Sequence, residues 1–289
     1  MKFTLTRENL LTIAYSLAIL IGLLLAWEGF KAFGNANDYY LDAGPIQSDL
    51  TIARDLNMPH LVAIMESFNE PAQRNGPPLI EVLLDAALKT GERALLGFVM
   101  GTSLGLLLAV IFVHSSLLQR GLMPFVIASQ TVPILAIAPM VVIWAARADI
   151  ASLGVPIIAA YLAFFPVTIY ALRGLADVPR TSLELMQSYA ASPFEILMKL
   201  RFPNALPYIF TALKITAPAS VVGAIIGELP SGIQDGLGGA ILNYAQYYIS
   251  APPRLWATNI ITAAVGILFF VVVAITERLV IRWQPPDIQ

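Results

Sequence analysis

The two histidines in these 289 residues, the side chains best suited to acid–base and metal chemistry at neutral pH, are not spaced to do it. His114 precedes Ser115, but adjacent side chains at a helix end point apart and no acidic residue follows to orient the imidazole. His60 has no nearby set of metal ligands, and the absence of cysteine excludes disulfides, cysteine-ligated zinc and iron–sulfur clusters. The phosphate-binding pattern G-x-x-x-x-G-K-[ST] is also absent. We therefore predict no catalytic residue, no metal site and no cofactor bound by this chain.

The composition instead indicates a membrane protein. Hydrophobic residues make up 57% of the chain and charged residues 12%, with a mean hydropathy of +0.73, whereas soluble domains are about half apolar and a quarter charged. A helix needs about 20 apolar residues to cross the hydrocarbon core. Six windows meet this demand, and we predict an all-α, polytopic bundle with spans at 10–30, 88–113, 121–146, 153–172, 207–228 and 255–277. We therefore expect the protein to lie in a lipid bilayer. With a net charge of -2 and no basic run, we expect no nucleic-acid partner.

We divide the chain into four parts. Residues 1–33 form a tail and a retained first span, 34–87 an outer loop, 88–283 the core, and 284–289 a C-terminal tail. The outer loop is expected to contain an amphipathic helix, because apolar residues recur at helical spacing: Leu56, Leu61, Ile64, Met65 and Phe68. Lys and Arg number nine on the side of the N-terminus and five on the other, which predicts cytoplasmic termini and a cytoplasmic loop at 174–206.

That loop contains a polar insert, Thr181–Pro207, with sharp helix-start signals. Thr181 with Glu184, and Ser192 with Glu195, have the spacing of capping boxes, in which hydroxyl and carboxylate each accept from a free backbone N–H. The sequence therefore predicts two short helices that meet at a corner.

Small residues at Ala190–Ser192 would let the two backbones approach, and Pro193 suits the first helical position. Pro203 and Pro207 are expected to end the second helix. An apolar strip on that helix is formed by Phe194, Leu197 and Met198. Spacing alone leaves two interpretations open, an amphipathic connector lying on lipid headgroups or a docking element for a soluble protein.

A resemblance distinguishes between them. Glu184, then Ala190-Ala191-Ser192, then Phe202–Pro207 resemble the "EAA" cytoplasmic loop of permease subunits of binding-protein-dependent ABC importers. The chain departs from that pattern where Ala190 replaces the usual Gly, and at Leu185 and Met186, which replace the usual Ala-Ala. Two alternatives stay open for Ala190: a negative φ would let the turn keep its form, whereas a positive φ would strain the residue.

Further segments resemble permeases of the nitrate, sulfonate, taurine and thiamine-precursor group. They are Ser129–Pro133, Ala136–Trp144, Phe164–Val167, Gly227–Pro230 and Gly236–Gly238. The resemblance implies a type I ABC importer permease fold in a bacterial inner membrane. It also implies a homodimeric pathway with a second copy of the chain, two ATPase subunits that hold ATP and Mg²⁺, and an external solute-binding protein.

The residues that the resemblance assigns to ATPase coupling all lie in the insert: Glu184, Ala190, Ala191, Ser192, Pro193, Phe194, Glu195, Leu197, Met198 and Pro203. The amino-acid sequence of the third-span segments most resembles that of permeases for thiamine-precursor pyrimidines, riboflavin or related heterocycles. Nitrate, taurine and alkanesulfonates stay open as solutes.

Polar residues inside the spans indicate where a pathway could lie. Gln130 and Thr131 are the first choice, with an interhelical hydrogen bond as the alternative. Thr216 and Ser220 on the fifth span are weaker choices, and Glu228 is expected at the outer interface. Gly97, Gly101 and Gly105 form two G-x-x-x-G steps, which predict close helix packing. A self-contained secondary transporter or channel is the alternative to an ATP-driven permease, distinguished by its energy source.

Overall fold

The structure is a computed structural model that describes residues 7–43 and 46–281; the predicted tail 284–289 lies outside them. The helices within these ranges are α1 Arg7–Ala36, α2 Leu61–Ser67, α3 Leu79–His114, α4 Ser116–Ser129, α5 Ile134–Arg147, α6 Gly154–Ala176, α7 Arg180–Ser188, α8 Pro193–Ile196, α9 Phe202–Glu228, α10 Leu237–Gln246 and α11 Pro252–Val280. Two short strands, β1 Tyr40–Ala43 and β2 Ile46–Asp49, pair antiparallel. The predicted all-α class is confirmed, with this hairpin as a small addition.

Five helical segments of the described chain are long and apolar enough to cross a membrane. They are α1, α3, α6 with the preceding turn, the helical run Pro193–Ser231, and α11. The third predicted span, 121–146, is bent: α4 and α5 meet at 101°, and counted together as one broken span they bring the described segments to six. Pro133 lies at the N-cap of α5, and since proline has no N–H and disfavours helical backbone in the residue before it, the helix breaks there.

The described chain forms two compact units. One lies within Met1–Leu79 and Tyr244–Ala257, and the other within Ile80–Asn243 and Thr258–Gln289. In the first unit the amphipathic helix of the outer loop, α2, is shorter than predicted, with Ile64 buried and Met65 exposed. The end of α1 is tied to this segment by Lys31, which is buried and donates to the Met58 carbonyl oxygen at 2.6 Å.

In the second unit α6 and α9 pack tightly and form the centre of the core. The G-x-x-x-G prediction for α3 is confirmed. A Cβ placed on Gly97 would lie 2.4 Å from the Ala159 Cβ, and one on Gly101 would lie 2.5 Å from the Ala160 carbonyl oxygen. Gly105 is equally close to the Phe164 carbonyl oxygen, at 2.7 Å. These glycines let α3 approach α6 at backbone distance, as in other close-packed membrane helices.

Candidate functional site

The corner of the insert is a helix C-cap of the Schellman type. At the end of α7, the Ala191 N–H donates to the Met186 carbonyl oxygen at 3.1 Å and the Ala190 N–H to the Gln187 carbonyl oxygen at 2.9 Å. Ala190 occupies the left-handed position of this motif, with φ +53°. Of the two alternatives for Ala190, the structure has the positive φ: the geometry usual for glycine is kept although the side chain has a Cβ, and the corner is strained.

The second helix start has the predicted cap and the first does not. The Glu195 N–H donates to Ser192 Oγ at 3.3 Å, and the Ser192 N–H donates to Glu195 Oε2 at 3.0 Å, so this capping box is confirmed. The box at Thr181 is wrong, because α7 begins at Arg180 with Pro179 as N-cap. Pro179 holds the extended backbone of an N-cap without a side-chain hydrogen bond, which leaves Thr181 inside the first turn.

The second helix of the insert continues into the membrane. α8 joins α9 through a π-helical turn, Leu197–Arg201, closed by the Phe202 N–H to the Leu197 carbonyl oxygen. Pro203 and Pro207 do not end the helix as predicted: Pro203 directly follows the π-helical turn, and Pro207 lies inside α9. The insert is therefore connected to a membrane helix without a flexible loop.

Four large apolar side chains of the insert are exposed. Leu185 on α7 and Tyr189 at its C-cap are 58% and 78% exposed, and Phe194 and Met198, four residues apart after the corner, are 69% and 48% exposed. Leu197 differs from the other members of the predicted apolar strip, because it packs against a buried cluster that includes Phe112, Leu175 and Ala205. Of the predicted coupling residues, those that are exposed and available to a partner are Glu184, Ala190, Ser192, Pro193, Phe194, Met198 and Pro203.

The predicted pathway residues separate into two pairs. Gln130 and Thr131 are exposed at the bend between α4 and α5, and the Thr131 hydroxyl donates to the Ala128 carbonyl oxygen at 2.7 Å. Thr216 and Ser220 are fully buried, and each hydroxyl donates to a carbonyl of its own helix, at 3.0 Å and 2.7 Å. In this structure Thr216 and Ser220 lie in the core and line no open surface, and their role in the pathway stays a prediction.

The C-terminal end of α9 holds a buried charged group. The Glu228 side chain is fully buried within the bundle, and its place at the outer interface of the membrane stays a prediction. Its carboxylate accepts from Arg93 Nη1 at 2.7 Å and from the Gly238 N–H at 2.9 Å, and the Thr90 hydroxyl lies 2.9 Å from Oε2. A buried carboxylate needs this compensation from a cation and hydrogen-bond donors. The sequence signal that could have indicated this site is Arg93, because a cation inside a predicted span needs an acidic or polar partner.

A family model matches residues 101–282 of the chain. It describes a binding-protein-dependent transport system inner membrane component. The chain belongs to this family. The permease is therefore a multi-pass inner-membrane protein, and the family assignment made from the EAA-like loop is confirmed.

Relatives of the permease transport different solutes. The formylaminopyrimidine transport permease of Halalkalibacterium halodurans is 29% identical over 189 residues, which cover 65% of this chain and 73% of that protein. The riboflavin transport system permease of Chloroflexus aurantiacus is 27% identical over 59% of this chain and 62% of its own length. A putative aliphatic sulfonates transport permease of Bacillus subtilis is 29% identical over 66% of this chain and 67% of its own length.

The fold of the permease matches a solved importer structure. The inward-facing MetNI methionine ABC transporter has a chain that aligns with a TM-score of 0.57 and 20% identity, over 71% of this chain and 96% of that chain. The importer-like transmembrane fold predicted from the sequence is confirmed. Residues 7–79, which include most of the first unit, precede the part matched by the family model.

The permease's Gly236–Gly238 segment now has a structural reason. A Cβ on Gly236 would lie 2.4 Å from the carboxyl atoms of Glu228, and one on Gly238 would lie 2.6 Å from the Glu228 Cβ. The two glycines therefore form a cradle that only residues without a Cβ can provide. Arg93 also reaches outward, donating from Nη2 to Asp235 at 2.8 Å, and this hydrogen bond lowers the pKa of the Asp235 carboxyl.

Proposed function

We propose that the permease forms the translocation pathway of an ABC importer and receives its energy from a separate ATPase through the insert Thr181–Pro207. The observation that carries this proposal is the exposure of Leu185, Tyr189, Phe194 and Met198 on a segment with fixed geometry. Clustered exposed apolar side chains on an otherwise polar segment favour contact with another protein. ATP and Mg²⁺ would be held by the ATPase, and this chain needs no cofactor.

The remaining parts of the assembly follow from that role. The Lys and Arg bias supports cytoplasmic termini and a cytoplasmic insert, where an ATPase pair would dock. A second copy of the chain would complete the pathway, and an external binding protein would deliver the solute. Gln130 and Thr131, exposed at the bend between α4 and α5, are the residues proposed to contact the solute. Alternating access would then rock packed helices around this bend.

For the solute we propose a small heterocycle, such as a pyrimidine precursor or a flavin. The names of two relatives, for formylaminopyrimidine and riboflavin transport, support this class. The uncharged amide and hydroxyl of Gln130 and Thr131 suit a hydrogen-bonding heterocycle. Uptake of a labelled aminopyrimidine should be competed by unlabelled heterocycle and not by taurine, nitrate or an alkanesulfonate; competition by the anions alone would replace this solute class.

The docking role is tested by co-purification. We would co-express the permease with its candidate ATPase, purify through a tag on the permease, and compare wild type with Phe194→Asp and Met198→Asp. Val62→Asp is the matched control, because Val62 is also an exposed apolar residue on a helix but lies in α2, outside the insert. We expect the ATPase to be retained by wild type and by Val62→Asp, and lost from the two insert variants.

Two results would contradict the proposal. Retention of the ATPase by both insert variants would leave the insert as a connector on lipid headgroups. Solute uptake by the purified permease alone, with no ATPase retained by wild type, would favour a self-contained secondary transporter.

A further inference from the structure

The C-terminal end of α6 is completed by side chains from α9 and from the π-helical turn that precedes it. A helix leaves its last carbonyls without an internal donor, and when such an end is partly buried each carbonyl needs another partner. At this end, the Asp177 N–H donates to the Arg173 carbonyl oxygen at 2.9 Å, and the Val178 N–H donates to the Ala176 carbonyl oxygen at 2.9 Å. The carbonyls of Gly174, Leu175 and Asp177 need donors from elsewhere.

Three residues of the adjoining helix supply those donors. The Asn204 amide donates to the Gly174 carbonyl oxygen at 3.0 Å and to the Asp177 carbonyl oxygen at 2.7 Å, so both of its N–H groups are used. Arg201 donates to the Leu175 carbonyl oxygen at 2.9 Å, and the Tyr208 hydroxyl donates to the Asp177 carboxylate. We call these three residues, Arg201, Asn204 and Tyr208, the α6 clamp.

The clamp closes the base of the insert. The chain leaves α6 at Ala176, passes through the insert and returns into α9 at Phe202, and the clamp joins these two ends. The helices touch here at backbone distance, since a Cβ on Gly174 would lie 2.8 Å from the Ala205 Cα. A displacement of the insert is therefore delivered to α6 as well as to α9.

The other part of α6 contacts the bend that carries the proposed pathway residues. The Tyr161 hydroxyl donates to the Ser129 carbonyl oxygen, in the residue directly before Gln130. Tyr161 and Asp177 are separated by 16 positions, about 24 Å along a helix. One continuous helix, α6, with Pro166 between the two contacts, therefore connects the base of the insert to the break between α4 and α5.

We infer that α6 transmits the movement of the insert to the α4–α5 bend, with Asn204 and Tyr161 as the positioning residues at its two ends. This inference rests on the proposed function. Neither residue touches the ATPase in this scheme; each keeps one end of α6 attached to what it moves. Loss of either attachment would let ATP be hydrolysed without movement of the bend.

The test compares Asn204→Ala, Tyr161→Phe and the double variant in the permease–ATPase complex reconstituted in liposomes with its binding protein. The measured quantity is solute taken up per ATP hydrolysed, which a lower yield of folded complex does not change. We expect each single variant to lower this ratio about tenfold, as about 1.4 kcal/mol would. Because both residues serve one transmission route, the double variant should fall about tenfold and not a hundredfold.

Two controls remove a hydroxyl without touching either attachment. Tyr170→Phe is on α6, and the Tyr170 hydroxyl has no hydrogen-bond partner among the described residues. Thr211→Val is on α9, where the hydroxyl donates within its own helix, to the Pro207 carbonyl oxygen. Both should keep the wild-type ratio.

The outcomes separate this inference from the proposed function. Wild-type ratios in Asn204→Ala and Tyr161→Phe, or multiplied losses in the double variant, would overturn transmission through α6 while leaving the importer intact. A wild-type complex without ATP-driven uptake would overturn the proposed function itself. If Asn204→Ala fails to retain the ATPase, Tyr161→Phe decides, because Tyr161 lies outside the insert and its base.

Discussion

The two ends of α9 are built on opposite principles. At its N-terminal end the insert exposes Phe194 and Met198 and keeps Ala190 in a strained backbone conformation. At its C-terminal end, 26 positions or about 39 Å away, Glu228 is fully buried and its carboxylate is bound by Arg93, Thr90 and Gly238. The first end leaves apolar surface for another chain to cover, whereas the second satisfies its polar groups within this chain. In the proposed coupling role, the exposed N-terminal end of α9 is the surface that a partner moves, and the buried C-terminal end keeps the helix attached to the bundle.

The largest effect is expected at the buried end. Glu228→Ala should lower the free energy of unfolding by about 3–5 kcal/mol, because it removes the buried acceptor of Arg93 Nη1, the Thr90 hydroxyl and the Gly238 N–H and leaves Arg93 only its exposed partner on the other side. Thermal unfolding of the purified permease in detergent would measure the loss. Arg93→Met with Glu228→Leu removes both charges and should recover a large part of it. An unchanged unfolding midpoint for Glu228→Ala would show that the Arg93–Glu228 ion pair does not stabilise the C-terminal end of α9.

A second prediction contrasts two neighbouring residues at the insert end. Leu197→Asp should destabilise the permease by at least about 2 kcal/mol, because Leu197 packs against the cluster of Phe112 and Leu175. Phe194→Asp should change stability by less than about 0.5 kcal/mol, since the side chain is exposed. The same unfolding measurement compares them. Equal losses would mean that Phe194 is part of the core and that the exposed surface of the insert is smaller than described.

What the sequence could predict at the two ends differs for a physical reason. The capping box at Ser192 and Glu195 depends on residues three apart, so it was predictable, as were the apolar windows of most spans. The Glu228 site joins residues 135 positions apart, and no local pattern announces such a partner. Prolines gave mixed guidance. Pro133 breaks a predicted span, whereas Pro203 and Pro207 are absorbed by a helix that a π-helical turn carries past them.

The strain at the corner gives a third prediction. Ala190→Gly should raise the free energy of unfolding by about 1 kcal/mol, because glycine adopts positive φ without the Cβ clash. The shift in unfolding midpoint is the measurement, with Ala191→Gly as the matched control. Ala191 has no positive φ, so glycine there should bring no gain. A gain from both substitutions, or from neither, would mean that the corner is not strained at Ala190, and the insert end would lose one of its two distinguishing features.

The smallest effect concerns the exposed arm of the Glu228 network. Asp235 is 56% exposed, and its hydrogen bond from Arg93 lowers the carboxyl pKa below its ordinary 3.8. A lowered pKa adds stability that is present above pH 3.8 and is lost as the pH falls through the lower value of the folded protein. Asp235→Asn should therefore reduce stability by no more than about 1 kcal/mol at pH 7, a difference that narrows in acid and in high salt. Unfolding midpoints of wild type and variant at pH 7 and pH 3 would show this. If Asp235→Asn lowered the free energy of unfolding as much as Glu228→Ala, the C-terminal end of α9 would depend on a solvent-exposed ion pair. The contrast between an exposed N-terminal end and a buried, internally satisfied C-terminal end would then fail.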